Sequence, residues 1–146
     1  MLVRFYLTGT RPVEEVLPAI ARGNMAAGNR MVVVAEDDEL LARLDRQLWE
    51  QYPEDFLAHG RADEPHSERQ PILLSKACDA ANGARLVALA DGKWRDQAEA
   101  FERAFLFFDD AGRAAARQTW ATFKARDDVQ RQFWEYAEGK WRQVAA

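Results

Sequence analysis

The 146-residue chain has one cysteine, Cys78, and only two histidines, His59 and His66. A lone cysteine excludes an internal disulfide framework and any all-cysteine metal site, and it fits a reducing compartment. Cys78 itself reads as a small buried hydrophobe. No apolar run approaches the ~20 residues that a bilayer span requires, so no membrane segment is expected. Met1 to Leu7 carries Arg4 and leads into Thr8-Gly9-Thr10 instead of a signal-peptide pattern, and a cytoplasmic location is expected. Excess positive charge is absent too: 20 Lys+Arg stand against 24 Asp+Glu, for a net charge of -4. Bulk attraction to nucleic-acid phosphate is therefore not expected, and any DNA contact would be local or indirect. What is plentiful is apolar and aromatic surface, with 48% hydrophobic residues, five Trp and eight Phe. Length and composition fit one core of normal size, read as a single domain over 1–146. The aromatics exceed what one such core hides easily, so some are expected at a partner surface.

Strand and helix signals alternate along the chain. Leu2 to Leu7 is rich in β-formers and closed by Gly9. Pro12 to Ala27 keeps helical spacing at Val13, Val16, Leu17 and Ile20, with Pro18 a predicted kink and Gly28-Asn29 the stop. Met31 to Ala35 is the uninterrupted β-branched run of a central parallel strand. Glu36-Asp37-Asp38-Glu39 then places acids at a helix N-terminus, followed by the apolar stripe Leu40, Leu41, Leu44 and Leu48. Tyr52 to Gln70 reads as a long loop. Pro71 to Leu74 and Ala84 to Leu89 are further strands around an Asn82-Gly83 turn, and Trp94 to Phe101 reads as helix. Ala104 to Phe108 reads as a last strand. Ala111 to about Arg126 and Asp127 toward Gly139 are both predicted helical. The expected fold is α/β: a largely parallel sheet flanked by helices on both faces, with a helical C-terminus.

No catalytic set emerges. Gly23 to Arg30 has the glycine spacing of a phosphate loop, but Asn29 and Arg30 replace its lysine and Ser/Thr, and it precedes a strand instead of following one. His59, Asp63, Glu64 and His66 are residue types that can bind zinc, yet their spacing in a loop is a weak metal signal. Cys78 would need a neighbouring base to act as a nucleophile. The acids Glu36 to Glu39 and Asp109-Asp110 lack a phosphate cradle or basic clamp. No cofactor and no metal are expected. A small nucleotide- or metal-dependent enzyme using the His59–His66 loop stays as an alternative.

Two surface constellations remain. Between Ala111 and Arg126 there are four cations and no acid. At about 100° per residue Arg113, Arg117, Trp120 and Lys124 share one narrow arc, with Phe123 and Ala116 turned toward a core. Guanidinium forks suit carboxylates and an adjacent indole offers an apolar wall, so the stripe fits an acidic peptide. A plain solvated helix face, or a direct single-stranded DNA-binding module stacking bases on Trp120, fits the same spacing. The second constellation is Trp49 with Phe56. Trp49 projects about 140° from Leu44 on the wheel, off the leucine stripe, and is a candidate anchor for a protein partner unless the loop folds back over it.

The ordered set Phe5-Tyr6-Leu7, Val33-Val34-Ala35-Glu36-Asp37, Leu44-Asp45-Arg46-Gln47-Leu48-Trp49, Phe56-Leu57-Ala58-His59, Pro71-Ile72-Leu73-Leu74 and Ala115-Ala116-Arg117-Gln118-Thr119-Trp120 resembles the chi subunit of the bacterial DNA polymerase III holoenzyme over essentially the whole length. The resemblance implies an α/β accessory subunit without an active site of its own, placed in the clamp-loader assembly during DNA replication. It implies that the acidic C-terminal tail of single-stranded DNA-binding protein is held by Arg117, with charge from Arg113 and Lys124 and apolar contact from Trp120 and Phe123. It also implies that Trp49 and Phe56 face the psi subunit or an alternative helicase partner, and that DNA is met only indirectly.

Overall fold

The computed structural model describes residues 1–146. Strand β1 (Leu2–Leu7) leads to helix α1 (Val13–Ala26), strand β2 (Met31–Val34) and helix α2 (Asp38–Glu50). β3 (His59–Arg61), β4 (Ile72–Ser75), β5 (Leu86–Leu89) and β6 (Arg103–Phe108) follow, then helix α3 (Arg113–Thr122) and strands β7 (Gln130–Ala137) and β8 (Lys140–Ala145). All eight strands lie in one sheet of order β3-β4-β2-β5-β6-β1-β7-β8. Every pairing is parallel except β7 with β8.

Local chemistry explains the first half. Asp37 caps α2, its carboxylate accepting the Glu39 N–H at 3.1 Å. Leu40, Leu41, Leu44 and Leu48 are all buried beneath it, each stabilising by roughly 1.5–3 kcal/mol. α1 runs unbroken through Pro18 and stops where Gly28 adopts φ +82, a left-handed conformation that glycine enters without steric cost. β2 is buried at all four positions, as its β-branched sequence predicts. One face of the sheet packs Tyr6, Val33, Leu74 and Phe107 against α1 and α2. The other packs Val3, Phe5, Leu89 and Leu106 with Ala116 and Phe123 of the α3 region. The sequence-predicted sheet covered by helices on both faces is the observed architecture.

Three predicted elements are corrected. The helix expected from Asp127 toward Gly139 is strand β7, and the chain ends in a β7–β8 hairpin instead of a helix. The turn residues Glu138 and Gly139 both have positive φ, 53° and 79°, the geometry that joins antiparallel strands with the right twist. Phe133, Trp134 and Tyr136 are β-formers, and pairing of β7 with β1 decides their state. Asp127-Asp128 is a turn whose carboxylate binds Arg126, not a helix start. The segment Tyr52 to Gln70 is not all loop, since it holds β3 and a 3-10 turn at Ser67–Arg69. Trp94 to Phe101 forms only a 3-10 turn at Asp96–Ala100.

Candidate functional site

α3 begins where β6 ends. The Asp109 carboxylate accepts the Gly112 N–H at 3.0 Å, and a Cβ on Gly112 would lie 3.3 Å from that of Phe108, so the helix starts tight against the sheet. Ala116 is its one buried residue. That small contact lets the helix sit close, with Arg113, Arg117 and Trp120 flanking a groove of about 280 Å³. Phe5, Phe133 and Ala145 form its floor, and they are register partners across β1, β7 and β8. Phe108 closes one side.

Trp120 is half-buried as the groove wall. It meets Phe5 edge-on at 5.1 Å and Phe133 edge-on at 6.2 Å. Its other neighbour is a cation: the Arg131 guanidinium lies 4.3 Å from the indole centroid and donates to the Trp120 carbonyl at 2.8 Å. Arg131 thereby satisfies one of the helix-end carbonyls that would otherwise lack a partner. The Arg113 guanidinium donates to Asp110 at 2.9 Å. Arg117 is exposed and joins no ion pair, so its fork of donors is free for an incoming acceptor.

The structure brings Arg113, Arg117 and Trp120 together but not the whole stripe. α3 stops at Thr122, where the Thr119 and Thr122 hydroxyls donate back to the Ala115 and Gln118 carbonyls and compete with the helical ladder. Lys124 therefore leaves the arc and lines a separate depression with Arg126 and Arg131. Phe123 is 2% exposed, stacked edge-on with Trp94 at 5.1 Å in the core, so it offers no surface to a ligand. Phe133 and Ala145 reach the groove only through the strand pairing of β7 and β8, which spacing along the chain does not reveal, while Arg131 lies outside the groove lining, over the Trp120 ring.

On the opposite side of the molecule Trp49 is 47% and Phe56 66% exposed, and their rings touch edge-on at 5.6 Å. The loop does not fold over Trp49. Phe56 holds φ +45, rare for an aromatic residue. Beneath them the His59 ring is buried between Asp45 and Leu57, with Nδ1 2.7 Å from the Leu57 carbonyl and Nε2 2.8 Å from the Asp45 carboxylate.

His59 is turned inward and His66 outward, and no group of three potential ligands could hold a metal. Cys78 is partly covered, and burial raises its thiol above its ordinary value, against the opposing pull of Arg95. The acids after β2 are engaged: Asp37 caps α2, Glu36 pairs with Lys93, and Asp38 pairs with Lys76 and Arg61. The Lys76 ammonium foremost, with Arg61, holds Asp38 below the usual aspartate value. A larger cleft of about 600 Å³ opens where β1, β2, β5 and β6 end, the end at which open α/β sheets commonly hold ligands. Its cations are already neutralised, Arg11 by Glu15, Arg43 by Glu14 and Lys93 by Glu36. The smaller groove beside α3 differs in holding an unpaired Arg117 over an apolar floor.

The family model of the DNA polymerase III chi subunit, HolC, matches residues 1–130. The chain is 26% identical over 120 residues to the DNA polymerase III subunit chi of Escherichia coli (strain K12), covering 80% of this chain and 81% of that protein. The family model spans most of the sequence, and this chain belongs to the DNA polymerase III chi subunit family of replication accessory subunits.

Proposed function

We propose that the protein is a non-catalytic adaptor that links the clamp-loader part of the polymerase to single-stranded DNA-binding protein by holding that protein's acidic C-terminal tail in the groove beside α3. The observation that carries this reading is the unpaired Arg117 beside a Trp120 wall and an apolar Phe5–Phe133–Ala145 floor. A chain end with an apolar side chain and a free carboxylate presents the complementary pair of groups: the side chain covers the floor while the carboxylate accepts from the guanidinium fork. Arg113 and Arg131 add positive potential for the acids upstream. Several tails on one oligomer raise the effective concentration, so a modest single contact suffices for tethering.

Trp49 and Phe56 provide a second docking surface for the psi subunit or a helicase that takes its place, supported by the joint exposure of two touching aromatics. DNA is reached through these partners. Direct strand binding is less well supported, since the groove offers one indole and the chain carries a net charge of -4.

Calorimetric titration with the tail peptide, beside a peptide lacking its last residues, tests the adaptor reading. Saturable binding to the intact tail alone is expected. Equal binding to both peptides, or binding to a bare oligonucleotide with similar affinity, would overturn it.

A further inference from the structure

Hydrogen-bond accounting around His59 assigns it a role in the second docking surface. Its side chain is fully buried. Nδ1 lies 2.7 Å from the Leu57 carbonyl oxygen, while Nε2 lies 2.8 Å from Asp45 Oδ1 and 3.1 Å from the Asp45 carbonyl oxygen. All three are acceptors. The ring also lies under an indole, with the Trp49 ring centroid 4.5 Å from that of His59.

We propose that His59 is a positioning residue for the Trp49–Phe56 face, a buried ring that ties the Phe56–Leu57 corner to α2 through Asp45. The proposal rests on the reading that this face docks a partner. Asp45 and Trp49 are one turn apart on α2, Leu57 is buried, and Phe56 beside it is held at φ +45 with its ring in solvent. A bulky residue keeps such a conformation only where its surroundings over-determine it. The contact of His59 with the Leu57 carbonyl holds the Leu57–Ala58 peptide, one residue beyond Phe56, and the contact with Asp45 holds that peptide relative to Trp49.

The test uses the full chain uniformly labelled with 15N. Asp45 is 40% exposed, so Asp45→Ala is expected to fold. In that variant the Phe56 and Trp49 amide signals are expected to move, and affinity for purified psi subunit to fall about tenfold, with Asp45→Asn restoring it. Unmoved Phe56 signals, or unchanged affinity where the parent binds, overturn it. A parent that does not bind psi defeats the docking reading alone, since the Phe56 signals still decide what His59 does.

Discussion

Replacing Arg117 with alanine removes the one groove cation that is exposed and has no acidic neighbour. Since no carboxylate in the free protein depends on Arg117, its loss strands no buried partner, and α3 gains the strongest helix former. Thermal stability is therefore expected to stay within about 0.5 kcal/mol of the parent. Tail affinity is expected to fall by about 1.5–3 kcal/mol, the range for hydrogen bonds to charged groups, which is roughly a tenfold to hundredfold rise in Kd. Arg113→Ala should cost less, because the Arg113 guanidinium already donates to Asp110 and must give up or share that bond to serve the tail. Calorimetry on both variants at two ionic strengths separates the effects: the parent weakens with added salt, and Arg117→Ala weakens less steeply. An Arg117→Ala protein that binds the tail as tightly as the parent, with the same salt dependence, would refute the assignment of this groove.

Phe123→Ala should behave in the opposite way, lowering stability by about 3–5 kcal/mol in chemical denaturation because it opens a cavity beside Trp94, while the folded fraction keeps its tail affinity. Trp49→Ala should leave tail binding intact and abolish capture of the second partner in a pull-down with purified psi, and persistence of that capture would move the second surface elsewhere. Asp91 is nearly buried beside Arg95 at 2.8 Å. Burial, the largest influence, pushes its carboxyl up, but the Arg95 bond and the Glu36 and Lys93 N–H donors together hold it below the ordinary 3.8. Because the folded state then binds fewer protons, the stability this carboxylate adds is present above about pH 3.8 and lost as pH falls through the depressed folded value. Asp91→Asn should cost about 1.5–3 kcal/mol at neutral pH and flatten the acid limb of the stability curve, and an unchanged curve would contradict this.

The parts of the fold that sequence reveals are those governed by local pattern. β1, α1, β2 and α2 follow from apolar periodicity, the Asp37 cap and the stop at Gly28, all of which act within a few residues. The C-terminal hairpin is different. Gln130 to Ala137 carries no strict alternation, and its strand state comes from pairing with β1, about 130 residues earlier in the chain, a contact of high sequence separation. The cue that was present is Glu138-Gly139 between two aromatic-bearing runs, which reads as a helix end or as a hairpin turn with equal ease. The same blindness applies to the groove. Arg113, Arg117 and Trp120 share a helix and are visible by spacing, whereas Phe133 and Ala145 arrive by sheet register. Lys124 and Phe123 do not line the groove, because α3 ends at Thr122 and because the core claims Phe123.

The most direct measurement is a titration of 15N-labelled protein with the tail peptide, following the backbone amides and the indole N–H signals of the five tryptophans. The groove assignment predicts saturating shifts at Arg113, Arg117, Phe133 and Ala145 and, among the indoles, at Trp120. Shifts confined to the face of Trp49 and Phe56, or to the cleft beside Arg43 and Lys93, would contradict it.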